Sequence, residues 1–208
     1  MKILIDNGHG INTAGKCSPL FTPDWREKYG IDRYREYKYC RERAAELKSA
    51  LYAHGYDVEL ITPEEKDIPL RTRVMRANNI CRKYGAANVL LVSLHTDAAP
   101  GEGWRSARGL SVRVSPKAST KSKILARCLY DAGAKRGLAG NRSVPASHYW
   151  VQNLFILNET TCPAVLTETG FQNNKADVDF LLSEAGKKAV VEYHYEGIVN
   201  YINYIEKR

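Results

Sequence analysis

The sequence has 208 residues, 44% hydrophobic and 26% charged, a composition ordinary for one globular domain with enough chain to bury a substantial core. No apolar run approaches the length of a membrane span, and Ile3-Leu4-Ile5, interrupted by Asp6, is too short for the apolar region of a signal peptide. The net charge of +8 favours polyanionic partners such as nucleic acid, an anionic membrane or a cell-wall polymer. The basic residues are dispersed and no zinc-finger or RNA-recognition motif accompanies them, so nucleic acid is not expected.

Residues 2–6 predict a short buried strand that stops in Asp6-Asn7-Gly8-His9-Gly10. The two glycines permit unusual backbone angles and a close ligand approach around an imidazole at a sheet edge. A strand-to-loop turn with an incidental histidine explains the pentapeptide equally well at this point. Residues 7–34 form a long loop, of the kind that is often functional, with Phe21, Trp25 and Tyr29 expected to anchor it. Residues 35–54 predict a helix, because Cys40, Ala44, Leu47 and Leu51 recur at spacings of one turn, and Gly55 ends it. Glu36 falls one turn before Cys40 on that inward stripe, where a carboxylate needs a cation or hydrogen bonds. Glu42 and Glu46 face away. A first-turn glutamate favoured by the helix dipole is the plainer explanation of Glu36.

A strand is expected over 56–61 and a helix over 70–84, with Leu70, Val74, Ala77 and Cys81 on one face. The nearly unbroken apolar run 87–94 predicts a strand buried on both faces, ending at His95. A strand over 109–115, a helix over 119–136 and an irregular stretch over 137–153 containing His148 follow. Phe155-Ile156-Leu157 and Ala164-Val165-Leu166-Thr167 are expected as short strands, the second ending at Glu168; helices over 175–182 and 185–205 finish the chain. The alternation predicts an α/β fold: a single domain over 1–208, with a twisted, mostly parallel central sheet of about six strands flanked by helices.

The five cysteines (17, 40, 81, 128 and 162) are odd in number and form no CxxC pair, so neither a disulfide framework nor a structural zinc site is expected. Cys40, Cys81 and Cys128 fall in helical patterns as small buried groups, and Cys17 is a minor candidate for a metal. The ionisable residues at strand ends carry more. In open α/β sheets, sites form outside the carboxyl ends of the strands. His9, His95 and Glu168 each follow a predicted strand, and Glu36 opens the helix after the first. Two histidines and one carboxylate suit a catalytic zinc, which keeps a position for water. A second carboxylate can take the water's proton and pass it to a leaving amine. Residue type alone leaves open which of Glu36 and Glu168 is the ligand.

Asp6-Asn7-Gly8-His9-Gly10 resembles the Asp-Pro-Gly-His-Gly opening of the zinc-dependent N-acetylmuramoyl-L-alanine amidases of the amidase-3 type. Ser93-Leu94-His95-Thr96-Asp97-Ala98 is similar to their Ser-x-His-x-Asn-Ala segment. Pro163 to Asn174 resembles their Pro-x-x-Leu-x-Glu-x-Gly-Phe-x-x-Asn segment, and Arg73 with Ala77-Asn78 resembles the helix before the central strand. The order and spacing of these motifs match over nearly the whole chain. The resemblance implies that His9, Glu36 and His95 bind one Zn2+, with Glu27 and the outward-facing Glu42 as rivals to Glu36, and with Glu168 as the catalytic glutamate acting as general base and acid. It implies hydrolysis of the amide between the lactyl group of N-acetylmuramic acid and the L-alanine of the stem peptide, by water activated on the zinc. Peptidoglycan glycan and peptide are then the partners, with action expected at the cell wall as an endolysin-like phage lysin or a secreted mature form, a housekeeping or recycling role being equally open; a monomer without membrane insertion is expected. The family proline is Asn7 here and its asparagine is Asp97; neither is a ligand position.

Under that resemblance 7–34 and 137–153 are candidate walls of a substrate groove. Asn174, Arg142, His148 and Asn153 are candidate substrate contacts, with Trp104 and Trp150 near them, although packing or surface roles explain these residues as well. His54 and His194, in helical contexts, are expected to be structural or solvent-facing. Two other readings remain: another zinc peptidase or amide hydrolase, and a non-catalytic wall-binding domain. A phosphate cradle at the first glycines lacks the GxxxxGK[ST] or GxGxxG pattern it would need.

Overall fold

The structure is a computed structural model and describes residues 1–207. The elements in chain order are β1 (Lys2–Asp6), α1 (Pro23–Tyr29), α2 (Glu36–Ala53), β2 (Asp57–Leu60), α3 (Leu70–Tyr84), β3 (Val89–Asp97), β4 (Ser111–Val114), α4 (Thr120–Ala134), β5 (Trp150–Val151), α5 (Phe155–Glu159), β6 (Ala164–Phe171), α6 (Lys175–Leu182) and α7 (Glu184–Glu206). One six-stranded sheet has the order β2-β1-β3-β6-β4-β5. The first four strands in that order are parallel, β4 runs antiparallel to β6, and β5 lies parallel to β4. The expected α/β architecture with a mostly parallel sheet is therefore present. No helix among the described residues is long and apolar enough to cross a membrane.

The period of two along each strand divides the core into two faces. Ile3, Ile5, Leu90, Val92, Leu94 and Val165 point to one side, where α2, α4 and α7 supply Leu47, Leu51, Leu125, Leu129, Tyr193 and Ile198. Leu4, Val89, Leu91, Ala164 and Leu166 point to the other, against Val74, Ala77 and Cys81 of α3 and Ile156 and Leu157 of α5. Apolar side chains on both faces are what make the β3 run continuous rather than alternating.

Five elements differ from the sequence expectation. Phe155-Ile156-Leu157 belongs to a helix, α5, not a strand; a three-residue apolar run has no period to distinguish the two. Within the loop 7–34 lies α1, with Pro23 at its start and Gly30 in the left-handed conformation at its end, the two terminal signals expected of a helix. The 137–153 stretch closes with the two-residue edge strand β5. Neither β3 nor β6 stops at its ionisable residue: pairing continues from His95↔Glu168 to Asp97↔Phe171 with a change of register. Gly170 supplies the positive φ of 73° at this bulge, placed beside the site as bulges often are.

His194, on α7, is 1% exposed. Its Nδ1 lies 2.8 Å from the Val190 carbonyl and its Nε2 2.9 Å from Thr167 Oγ1. The carbonyl only accepts, so Nδ1 carries the proton and Nε2 accepts from the hydroxyl. Burial lowers the imidazole to about 4 from 6.5. The unfolded chain therefore binds the extra proton first, and this contribution to stability is complete above pH 6.5 and is lost as pH falls towards 4. The expected size is about 3 kcal/mol. In urea unfolding, the stability advantage of the parent over His194→Gln should shrink across that window; a pH-independent difference would show that His194 does not titrate as described.

Candidate active site

The chain leaves β1 through α2 to β2 on one side, and later returns through α3 to β3 on the other. The carboxyl ends of β1 and β3 thus flank a topological switch point, where a crevice opens. His9 sits just beyond β1. The preceding Gly8 has φ +71°, and a Cβ there would fall 2.8 Å from the Leu94 carbonyl oxygen and 3.1 Å from the His95 ring. Only glycine satisfies both the angle and the approach. Gly8→Ala is expected to cost about 2 kcal/mol or more, lowering the thermal midpoint by about 4–8 °C. An unchanged midpoint would contradict the stated contact.

Glu36 is the first residue of α2. Its backbone N–H donates to the Lys16 carbonyl at 3.0 Å, and Cys17 bridges to Arg35 beside it, so the long loop fixes the helix start. The side chain is 1% exposed. Oε1 lies 3.0 Å from His95 Nδ1 and 3.5 Å from His9 Nε2, and it accepts from the Thr96 backbone N–H at 3.1 Å. Oε2 is buried without a hydrogen-bond partner. The two imidazole rings stand nearly perpendicular, centroids 4.9 Å apart.

One donor atom from each of His9, Glu36 and His95 lies within 4.8 Å of the others. Burial lowers His9 to about 4, which leaves it neutral with a free lone pair near neutrality. Burial pushes Glu36 upward, but the hydrogen bond and charge of His95 outweigh it and hold the carboxyl below its usual range. Burial likewise pulls His95 down, and Glu36 more than offsets it, so that imidazole lies above its ordinary value. Ligand atoms about 2 Å from one tetrahedral ion stand about 3.3 Å apart, between the two Glu36–imidazole distances. Two imidazoles, a buried anion and an orphaned carboxylate oxygen fit a zinc ion.

Glu168 reaches the same place from β6, where it pairs in register with His95. It is 9% exposed, and Oε2 is buried without a partner. Burial raises it to about 7, against the opposing charges of His95 and Arg113; Arg113 Nη1 is 3.4 Å from Oε1. All four residues line one cavity of about 550 Å³, whose lining also includes the charged Lys16 and Asp67 and the apolar Leu154, Phe155 and Ile156.

The other candidate residues lie outside that cavity lining. Asn174 caps α6, accepting from the Asp177 N–H at 3.0 Å and donating to the Arg105 carbonyl at 2.8 Å. It is 6% exposed, and these two bonds engage both ends of its amide. Arg142 donates to Asp97 Oδ2 at 2.5 Å and lies over the Phe171 ring. His148, with φ of 59°, binds Asp131 on α4 at 2.5 Å. Asn153 is exposed and bonds Asn158. Trp104 packs with Phe21 and Trp25, the anchoring expected of that loop, and Trp150 packs on Tyr130. His54 is exposed at the end of α2. Cys17 is not among the residues grouped as metal donors.

Two arrangements were not anticipated. Asp97 gathers Arg113 and Arg142, each 2.5 Å from its Oδ2, and so holds Arg113 beside Glu168. The signal was a lone arginine in the apolar strand Ser-Val-Arg-Val. The second is a buried ion pair of Asp6 with Arg73, 2.6 Å apart, in the lining of the same cavity.

The sequence pattern of the N-acetylmuramoyl-L-alanine amidase family (Amidase_3) matches residues 3–200. The endolysin of Bacillus phage SPP1 is 32% identical over 128 residues, 61% of this chain and 45% of that protein. The probable cell wall amidase LytH of Staphylococcus epidermidis is 26% identical over 201 residues, 97% of this chain and 58% of that protein. The chain spans about half the length of the curated relatives it matches. The crystal structure of N-acetylmuramoyl-L-alanine amidase from Clostridium difficile 630 superimposes with a TM-score of 0.76 at 23% identity, covering 97% of this chain and 96% of that one, which shows a common fold.

Proposed function

The chain belongs to the N-acetylmuramoyl-L-alanine amidase family, and from that premise we propose that it cleaves the amide between N-acetylmuramic acid and the L-alanine of the peptidoglycan stem peptide, using zinc held by His9, Glu36 and His95 and Glu168 as general base and acid. The observation that carries this reading is the convergence of the three donors and a second, unligated carboxylate on one cavity. Bound there, zinc would act as a Lewis acid, polarising a carbonyl oxygen and lowering the pKa of water to about 7.

Glu168 supplies the proton transfers. Near neutrality its carboxyl, raised to about 7, is balanced between accepting and releasing a proton, which is the condition for an efficient general acid–base. It takes a proton from the attacking water as the new C–O bond forms at the lactyl carbonyl. It returns that proton to the alanine nitrogen as the C–N bond breaks, and the second proton of the attacking water follows from the new carboxyl group, leaving a carboxylate on the sugar and an ammonium terminus on the peptide. Arg113, fixed by Asp97, holds the carboxylate in place. Leu154, Phe155 and Ile156 restrict water in the cavity, where electrostatic interactions strengthen as solvent is excluded. The net charge of +8 favours approach to an anionic wall. Asn174, whose amide is bonded at both ends, and Arg142, held on Asp97, are assigned scaffold roles; His148 and Asn153, each bonded through one polar atom, stay candidate substrate contacts.

The test is incubation of zinc-loaded protein with purified sacculi, followed by end-group analysis. New L-alanine amino termini with muropeptide cross-links intact are expected. Release of internal peptide termini with the muramyl–alanine bond intact would instead identify a peptidase.

A further inference from the structure

Next to the three proposed ligands lies a line of buried groups that the hydrolysis does not use. The two nitrogens of His95 have different neighbours: Nδ1 faces Glu36 Oε1 at 3.0 Å, and Nε2 faces Ser93 Oγ at 3.1 Å. Ser93 Oγ is in turn 2.5 Å from Asp6 Oδ2. The other carboxylate oxygen of Asp6 is 2.6 Å from Arg73 Nη1 and 3.1 Å from Thr62 Oγ1. Strand geometry builds this line. Ser93 and His95 are two residues apart on β3 and so share a face, and Asp6 is the register partner of Ser93 across β1 and β3. Asp6 is 1%, Ser93 0% and Arg73 3% exposed, so water does not compete for these bonds.

The proton order along the line follows from what each group can do. Asp6, ion-paired with Arg73, offers only acceptors. The single hydroxyl proton of Ser93 therefore goes to Asp6 Oδ2, and the serine oxygen is left to accept from His95 Nε2–H. A neutral imidazole protonated at Nε2 has its lone pair on Nδ1, the nitrogen that faces Glu36. The geometry points to a positioning relay: Asp6, oriented by Arg73, acts through Ser93 to hold His95 as its Nε2–H tautomer and to present Nδ1 as the metal ligand. Arg73 serves both halves of the site, since it also donates to the Gly8 carbonyl, next to His9. The relay rests on the reading of His9, Glu36 and His95 as a zinc site. It assigns a positioning function to Asp6, Ser93 and Arg73, none of which is grouped with the metal donors.

Outer groups of this kind typically change metal affinity 10–100-fold. Zinc affinity is measured by competition with a chromophoric chelator, and the tautomer by 15N NMR of the histidine-labelled, zinc-loaded protein. Ser93→Ala is expected to weaken zinc binding about 10–100-fold. Asp6→Asn should weaken it in the same way, and the double variant by less than the product of the two, because both act through one imidazole. In the parent, His95 should show a slowly exchanging proton on Nε2 and the metal on Nδ1. The parent spectrum requires no variant, so it decides the inference even where Ser93→Ala does not fold. Metal on Nε2 of His95, or zinc affinity in folded Ser93→Ala equal to the parent, overturns the relay while leaving the zinc site standing. Failure of the parent to bind zinc overturns both.

Discussion

Glu168→Gln is expected to lower kcat for muramyl–alanine cleavage by about 10²–10⁴-fold, with KM close to that of the parent. The substitution keeps the volume and shape of a side chain that is 9% exposed and changes one property, since an amide cannot accept the water's proton. Burial is the main reason the parent carboxyl is raised to about 7. Asp97 adds to the rise, while His95 and Arg113 limit it. Substrate binding draws on the rest of the cavity, so the loss should fall on turnover. Steady-state kinetics on a soluble muropeptide measure both parameters. A variant that retains the parent kcat would remove Glu168 from the chemistry.

The largest effect on stability is expected from Arg73→Leu, about 3–5 kcal/mol. Arg73 is 3% exposed. It donates to Asp6 at 2.6 Å, to Asp67 at 2.5 Å and to the Ile68 carbonyl at 2.7 Å, as well as to Gly8. Leucine replaces the packing of the aliphatic stem but leaves the Asp6 carboxylate buried without its cation, which is the costly way to break an internal ion pair. The corresponding fall in thermal midpoint is about 6–20 °C for a domain of this size. Arg76, one turn further along α3, provides the contrast. Its bond to Glu64 is equally short, at 2.5 Å, but both side chains are about a third exposed, and Arg76→Leu should change stability by about 1 kcal/mol or less. Thermal unfolding of the zinc-free proteins separates the two. Equal effects for Arg73 and Arg76 would show that burial does not govern the pair.

The fold and the convergence of the site were legible where periodicity was strong. The apolar run before His95, the one after Pro163 and the inward stripe of α2 placed His95, Glu168 and Glu36 correctly because each belongs to an element whose pattern extends over a whole strand or helix. The Phe155–Leu157 run failed because three apolar residues serve a helix and a strand equally. The antiparallel direction of β4 was not legible, since strand direction depends on the path of the connection rather than on composition. Asn174 stands in a motif the sequence shows, but what its amide binds depends on Arg105, 69 residues away, whose carbonyl accepts from it. The same holds for Asp97 with Arg113 and Arg142, and for Asp6 with Ser93. These contacts exist only once sheet register and loop packing have brought distant residues together.

The central claim is that Glu36 completes a zinc site with His9 and His95 while Glu168 remains outside it. Zinc stoichiometry after equilibrium dialysis tests this most directly, measured in parallel on the parent, Glu36→Gln and Glu168→Gln. One zinc per chain is expected in the parent and in Glu168→Gln, with loss of stoichiometric zinc in Glu36→Gln. Zinc retained by Glu36→Gln and lost from Glu168→Gln would contradict the assignment of the two carboxylates.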